Sequence, residues 1–325
     1  CAHTHFRLLI RSGRRFFLAR NGLLLDLRPY VERDLTDEDI RDIYPPHWEN
    51  SVVHFGPYKG EQYAMPLYTN TTVIYYNETL FREAGLETPA ELELRGEWTW
   101  DALAETAKKL TRRVGDETTQ YGFMTMNTNW FRVVQYAWEN GGDWFDRNDP
   151  TRFIGDQPEA VEAMEFLRSL TFDDGAMMAK WSYAAFPERR VAMIDDGLNE
   201  GFTRYRNVIG EDFEWNIAPR AVGPAGRKPV TMDDGLGIWR MTQHPEEAWE
   251  FVKFITSKAG QEIMAKTQGL APVRQSALPA YLELDTNLNL EMVMSTMYNA
   301  EMVITGRTPG DIQRISDVIG YDILV

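Results

Sequence analysis

The chain has a single cysteine, Cys1, five histidines, and no apolar run approaching the ~20 residues that span a bilayer. One thiol excludes an internal disulfide and any cysteine-based metal site. Positive charge is scarce as well: 34 lysines and arginines stand against 49 acidic residues, a net charge of −15. A nucleic-acid partner requires a basic face, and none is visible. The acidic balance also disfavours binding to anionic lipid, and its main effect is solubility. Serine-hydrolase, zinc-protease and phosphate-loop motifs are missing, so no cofactor and no catalytic metal is expected. His3-Thr4-His5 could chelate a metal only weakly. There is no internal repeat and no low-complexity tract.

What is present suffices for about two domains: 325 residues, 43% hydrophobic and 12% aromatic. Thr36 to Tyr44 reads as a helix ending before Pro45-Pro46, because a residue preceding proline avoids helical angles. Trp100, Leu103, Ala107 and Leu110 recur on one helical face, with Thr99 as the cap. Gln157 to Leu170 is a second helix, capped by Asp156 and burying Val161, Met164, Phe166 and Leu167. Val191 to Ile194 is a short buried strand halted by Asp195-Asp196-Gly197. Pro245 to Thr256 is a third helix with Ala248, Phe251, Val252 and Ile255 inward, and a fourth runs from Ser257 to Thr267, stopping near Gly269. Helices alternating with short strands predict an α/β fold.

The most informative stretch is Tyr63 to Leu80. An apolar run ends in Tyr68-Thr69-Asn70-Thr71-Thr72, and a second β-branched and aromatic run, Val73 to Tyr76, follows at once. Two strands joined through hydrogen-bonding residues suit a chain crossing between two lobes past a polar ligand. Further pieces are N-G-L-L-L-D-L-R-P-Y-V (Asn21 to Val31), W-T-W-D-A-L (Trp98 to Leu103), R-V-A-M-I-D-D-G (Arg190 to Gly197) and W-N-I-A-P-R (Trp215 to Arg220). D-G-L-G-I (Asp234 to Ile238), P-E-E-A-W-E-F-V-K-F-I-T-S-K-A-G-Q (Pro245 to Gln261) and G-L-A-P-V-R (Gly269 to Arg274) complete the set. In this order the pieces resemble the extracellular solute-binding proteins of ABC transporters, carbohydrate-binding branch. The resemblance runs from about residue 22 to about residue 319.

That resemblance implies a two-lobed fold of the periplasmic-binding-protein kind (type II), with hinge crossings and a central cleft. Lobe one is expected at 1–69 plus 235–299, and lobe two at 70–234 plus 300–325. It implies an unmodified carbohydrate as ligand, the permease subunits as partner, a monomer, and a place outside the cytoplasmic membrane. Ligand contacts to both lobes would favour a closed form that the permease recognises. Relatives begin with a strand and helix ahead of the G-L-L-L-D-L motif, so the chain reads as a fragment shortened at the N-terminus, and its C-terminus also stops where the resemblance implies more helix. Cys1 to Arg20, rich in arginine, lacks the pattern of a signal peptide. Lipidation of Cys1 is the alternative weighed for its start.

Sugar recognition places aromatic faces on C–H surfaces and planar polar groups on hydroxyls. The expected ligand residues are Tyr68 and Asn70 in the first crossing, and Trp130 and Phe131 at a helix start. Asp196 and Asn199 follow in the turn after Val191, then Asp234, Gly235 and Leu236 in the second crossing, then Arg274 and Arg307. Asn199 stands near a position where relatives often carry Trp, and Leu236 where they often carry an aromatic. Several have a bland reading too: Tyr68 and Asn70 as hinge structure, Trp130 and Phe131 as core, Arg307 as solvated surface. Trp138 and Trp144 read as core; Trp48 and Trp181 stay open. Two alternatives stand beside sugar import: a binder of a non-sugar solute (glycerophosphodiester, polyol or peptide), and a glycosidase using the paired acids. The latter needs two carboxyls about 5–10 Å apart across a sugar, which adjacent strand residues do not supply.

Overall fold

The structure, a computed structural model, describes residues 9–10, 18–19, 21–53, 57–127, 129–146, 149, 152–297 and 301–302. Nine strands are present among them: β1 (Leu9–Ile10), β2 (Met65–Asn77), β3 (Arg112–Val114), β4 (Glu117–Thr125), β5 (Val191–Gly197), β6 (Trp215–Ala218), β7 (Val230–Leu236), β8 (Ala271–Pro272) and β9 (Glu301–Met302). The chain divides into two compact units. Unit 1 comprises 1–70, 231–284 and 302–309; unit 2 comprises 71–230, 285–301 and 310–325. Among the described residues, 285–297 cluster with unit 2.

In unit 1, β1 runs antiparallel to β7, with Leu9 opposite Leu236, and β2 runs antiparallel to β8, with Tyr68 opposite Pro272. The core gathers Leu27, Val31, Leu67, Leu236, Ile238, Trp249, Val252 and Val273. Pro245 opens the helix Pro245–Ile255 as expected, but its buried residues are Ala248, Trp249 and Val252. Phe251, expected inward, is 49% exposed. The helix is turned so that the Trp249 indole N–H donates to Asp34 Oδ2 at 2.6 Å, which satisfies the polar edge of a fully buried ring. The next helix, Lys258–Gln268, is capped by the Ser257 hydroxyl and ended by Gly269 at φ 66°.

In unit 2 the strands lie in the order β3, β4, β5, β2, β6. The β4–β5 pair is parallel and the others antiparallel. The Thr99 hydroxyl accepts from Ala102 N, and the helix Trp100–Leu110 buries Trp100, Leu103, Ala107 and Leu110, the face read from the sequence. This helix presses on β4: a Cβ on Gly122 would stand 1.9 Å from the Ala107 carbonyl oxygen. The helix Pro158–Arg168 starts from Gln157 rather than Asp156 and buries Ala160, Ala163, Met164 and Leu167. Val161 is exposed, because two alanines form the inward stripe, and Gly142 meets the Ala160 backbone closely enough that a Cβ there would lie 2.7 Å from its nitrogen. Phe166 stacks on Trp100 with ring centroids 4.5 Å apart. The acids Asp195-Asp196 do not halt β5. They continue it to Gly197, opposite Ile74 and Val73 of β2, because both carboxylates find buried partners.

Candidate functional site

The helix Trp130–Glu139 organises unit 2's polar interior. Its apolar residues Val133, Val134 and Ala137 are buried, yet so are Arg132, Gln135 and Glu139. The three polar residues recur at i, i+3 and i+7, one face of the helix. That buried polar stripe is a signal the sequence reading passed over.

The far end of the stripe is closed by ion pairing. Arg220 Nε and Nη2 donate to Glu139 Oε1 and Oε2, each at 2.8 Å. Its Nη1 donates to Asp195 Oδ2. Asp195 Oδ2 also accepts from the Thr125 hydroxyl (3.0 Å), Gln135 Nε2 (3.0 Å) and the Tyr136 hydroxyl (3.2 Å). The Arg220 guanidinium lies over the Tyr136 ring, 4.4 Å from its centroid. Burial opposes the charge on Arg220, but Asp195 and Glu139 outweigh it and hold the guanidinium firmly protonated. Burial together with the Asp195 charge raises the Tyr136 hydroxyl well above its ordinary range. Apart from Asp195 Oδ1, which is buried without a hydrogen-bond partner, these groups satisfy one another, as a buried ionic cluster requires.

The near end is different. Asp196 is 1% exposed and accepts from the Tyr205 hydroxyl (2.8 Å), the Gly197 backbone N–H (2.8 Å) and Arg132 Nη2 (3.3 Å). Burial pushes its carboxyl up to about 6, and the Glu200 charge adds to this. Arg132, Tyr205 and Gly197 act in the opposite sense. Beside it, Arg204 stacks over the Tyr183 ring at 3.8 Å, and Trp181 meets Tyr183 edge-on with centroids 5.3 Å apart. The Tyr183 hydroxyl senses the charges of Asp196, Glu200, Arg204 and Arg132, with burial as the largest influence on it. An aromatic platform thus adjoins a guanidinium and a carboxylate, the pairing of surfaces that holds a sugar ring.

The expected residues fall into several groups. Asp196 and Asn199 belong to this face, Asn199 buried with its carbonyl accepting from the Thr203 backbone and hydroxyl. Trp130 and Phe131 head the helix that carries Arg132; their side chains lie outside what is described. In unit 1 the Tyr68 hydroxyl donates to Asp234 Oδ2, with Asn70 two residues along β2 and half-buried. Gly235 sits opposite Ile10 in the β1–β7 ladder. Two expectations are corrected. Leu236 is 2% exposed and packs into the unit 1 core, a task its aliphatic side chain suits. Arg274 is 4% exposed and braces unit 1, donating from Nε to the Thr256 carbonyl (2.6 Å) and from Nη1 to the Asp39 carbonyl (2.7 Å) and Asp42 Oδ2 (3.2 Å). Arg307 lies outside the described residues. Arg132, Tyr183 and Arg204 were missed, and Trp181 was left open.

Among the described residues no cluster of histidine, cysteine or carboxylate side chains could hold a metal ion, and no helix is long and apolar enough to cross a membrane.

Comparison with known proteins gives this geometry a context. Residues 8–262 match the family described as bacterial extracellular solute-binding protein. The mannitol-binding protein of Pseudomonas aeruginosa is 26% identical over 228 residues, covering 66% of this chain and 50% of that protein. The chain spans about half the length of the curated relatives it matches. Among solved structures, the ABC substrate-binding protein Lmo0181 of Listeria monocytogenes in complex with cycloalternan superposes with a TM-score of 0.80 at 23% identity, covering 97% of this chain and 77% of that one. UgpB of Mycobacterium tuberculosis in complex with glycerophosphocholine gives 0.78 at 20% identity, covering 96% and 78%. The fold is therefore the mixed α/β fold of these binding proteins.

Proposed function

Since the chain belongs to the bacterial extracellular solute-binding proteins, we propose that it captures a sugar or oligosaccharide outside the cytoplasmic membrane and delivers it unaltered to an ABC permease. The observation that carries this reading is the unit 2 face where Trp181, Tyr183 and Arg204 adjoin Arg132 and Asp196. Flat apolar rings beside charged, planar hydrogen-bonding groups match the two kinds of surface on a pyranose. In unit 1, Tyr68 and Asp234 offer a hydroxyl and a carboxylate of the same kind. A structural neighbour in complex with cycloalternan agrees with it, while a relative named for mannitol fits the polyol alternative. Closure over the ligand, a monomeric state and the permease as partner are what the family brings to this proposal.

The protein acts by binding and not by turnover. Asp195 and Glu139 are both engaged by Arg220, and Glu200, whose charge reaches Asp196, is held by Arg204 Nε at 2.8 Å, so none of the three is poised as an acid or nucleophile. Intrinsic tryptophan fluorescence titrated with a panel of mono- and oligosaccharides, polyols, glycerophosphodiesters and peptides tests the reading. A saturable change with at least one sugar, and no release of product from a chromogenic glycoside, is the expected result. Saturation by a peptide or a glycerophosphodiester with silence toward every sugar would overturn it.

A further inference from the structure

Arg132 is 5% exposed, yet only its Nη2 has a partner, Asp196 Oδ1 at 3.3 Å. Nε and Nη1 are buried without a hydrogen-bond partner. Three residues earlier, Asn129 stands as the N-terminal cap of the same helix without making a capping bond, and its Oδ1 is likewise buried and unpartnered. Residues three apart lie on one face of a helix, one turn from each other. Buried donors and acceptors left unmet are unfavourable, more so on a charged group, and the remainder of this polar stripe is fully satisfied. Gln135 and Glu139 on this stripe are satisfied, so its unmet atoms are two donors and one acceptor within one turn, at the end where Asp196 and Trp181 lie; Trp138 Nε1, Asp195 Oδ1 and Trp181 Nε1 are further unmet atoms among the described residues.

We propose that Asn129 and Arg132 are specificity-determining residues that read a pair of neighbouring hydroxyls on a neutral solute. One hydroxyl donates to Asn129 Oδ1, and the adjacent oxygen accepts from the Arg132 guanidinium. This inference rests on the sugar-binding reading and narrows it. A hydroxyl both donates and accepts, so a vicinal diol meets both residues. A carboxylate or phosphate only accepts; it would leave Asn129 Oδ1 unmet and would stand against Asp196 and Glu200, the two acids that already face this guanidinium's neighbourhood. Asp196 acts as a positioning residue, holding the guanidinium through Nη2.

The test is calorimetric titration of the wild-type chain and the variants Arg132→Lys, Arg132→Gln and Asn129→Leu with neutral sugars, their uronic-acid counterparts and a glycerophosphodiester. Thermal melts of each variant accompany it. We expect wild type to bind a neutral sugar and to bind its uronic-acid form at least ~10-fold more weakly. Arg132→Gln should lose roughly 30-fold or more and Asn129→Leu about 10-fold, the scale of one or two hydrogen bonds. Arg132→Lys keeps the charge beside Asp196, so it should fold like wild type while still losing affinity, which separates recognition from support. Should Arg132→Gln fail to fold, the lysine and leucine variants carry the result. Sugar binding within twofold of wild type in all the folded variants, or preference for the anionic sugar, overturns this inference and leaves the sugar-binding reading intact. Response to the glycerophosphodiester alone overturns both.

Discussion

At the scale of single residues, the most consequential group is Asp196. Its carboxyl is raised from the ordinary aspartate value of 3.8 to about 6, by burial first and by Glu200 second, with Arg132, the Tyr205 hydroxyl and the Gly197 N–H opposing. Because the folded value lies above the unfolded one, the folded chain binds more protons between about pH 4 and pH 6. Stability therefore falls as pH rises through that window, and the charged carboxylate is a burden the fold carries at neutral pH. Asp196→Asn should flatten this part of the stability–pH curve, measured by urea melts at pH 4.5, 5.5 and 7. An unchanged slope in the variant would contradict the assignment. Tyr183 and Arg204 also face this carboxylate, so the comparison belongs at fixed, moderate salt. Single residues are also where the sequence was least legible. Nothing in one Arg among many marks Arg132 as buried, and Leu236 was read for the motif around it and not for its aliphatic side chain. What could have been read was the spacing of Arg132, Gln135 and Glu139 on a helix whose other residues are apolar.

Secondary-structure elements were more legible, because their signals are local. The Thr99 cap, the Trp100–Leu110 face and the Gly269 stop all follow from chemistry within one or two turns. The failures arose where tertiary packing chose between two plausible faces. On Pro245–Ile255 the preference for burying Trp249 against Asp34 turned Phe251 outward. On Pro158–Arg168 small residues won the inward positions because the neighbouring backbone at Gly142 comes close. Strand β5 continued through two acids because both found partners that lie far away in sequence. The contact between Trp100–Leu110 and β4 yields a sharp expectation. At Gly122 even one methyl group would collide with the Ala107 backbone, which cannot rotate aside. Gly122→Ala should therefore destabilise by several kcal/mol, about the upper range of overpacking effects. Gly115→Ala, in open space at φ 60°, should lose only about 1 kcal/mol. Chemical denaturation of the two variants in parallel checks this, and equal losses would refute it.

For the molecule as a whole, the α/β class and the family were legible from ordered motifs, while the exact unit boundaries were not. The chain passes from unit 1 to unit 2 between Asn70 and Thr71, in the middle of one uninterrupted 13-residue strand. A strand has no punctuation at such a point, so composition could not mark it. The same continuity has a mechanical meaning: β2 is a central strand of unit 2, flanked by β5 and β6, and it also pairs with β8 in unit 1.

The trio of Asp195, Arg220 and Glu139 brings two negative groups and one positive group into a dry interior. No member can be exchanged alone without stranding its companions. Any viable route from this chain to one with an oily centre at that spot must swap three codons in near concert. Descendants are therefore held to the inherited solution at these three positions.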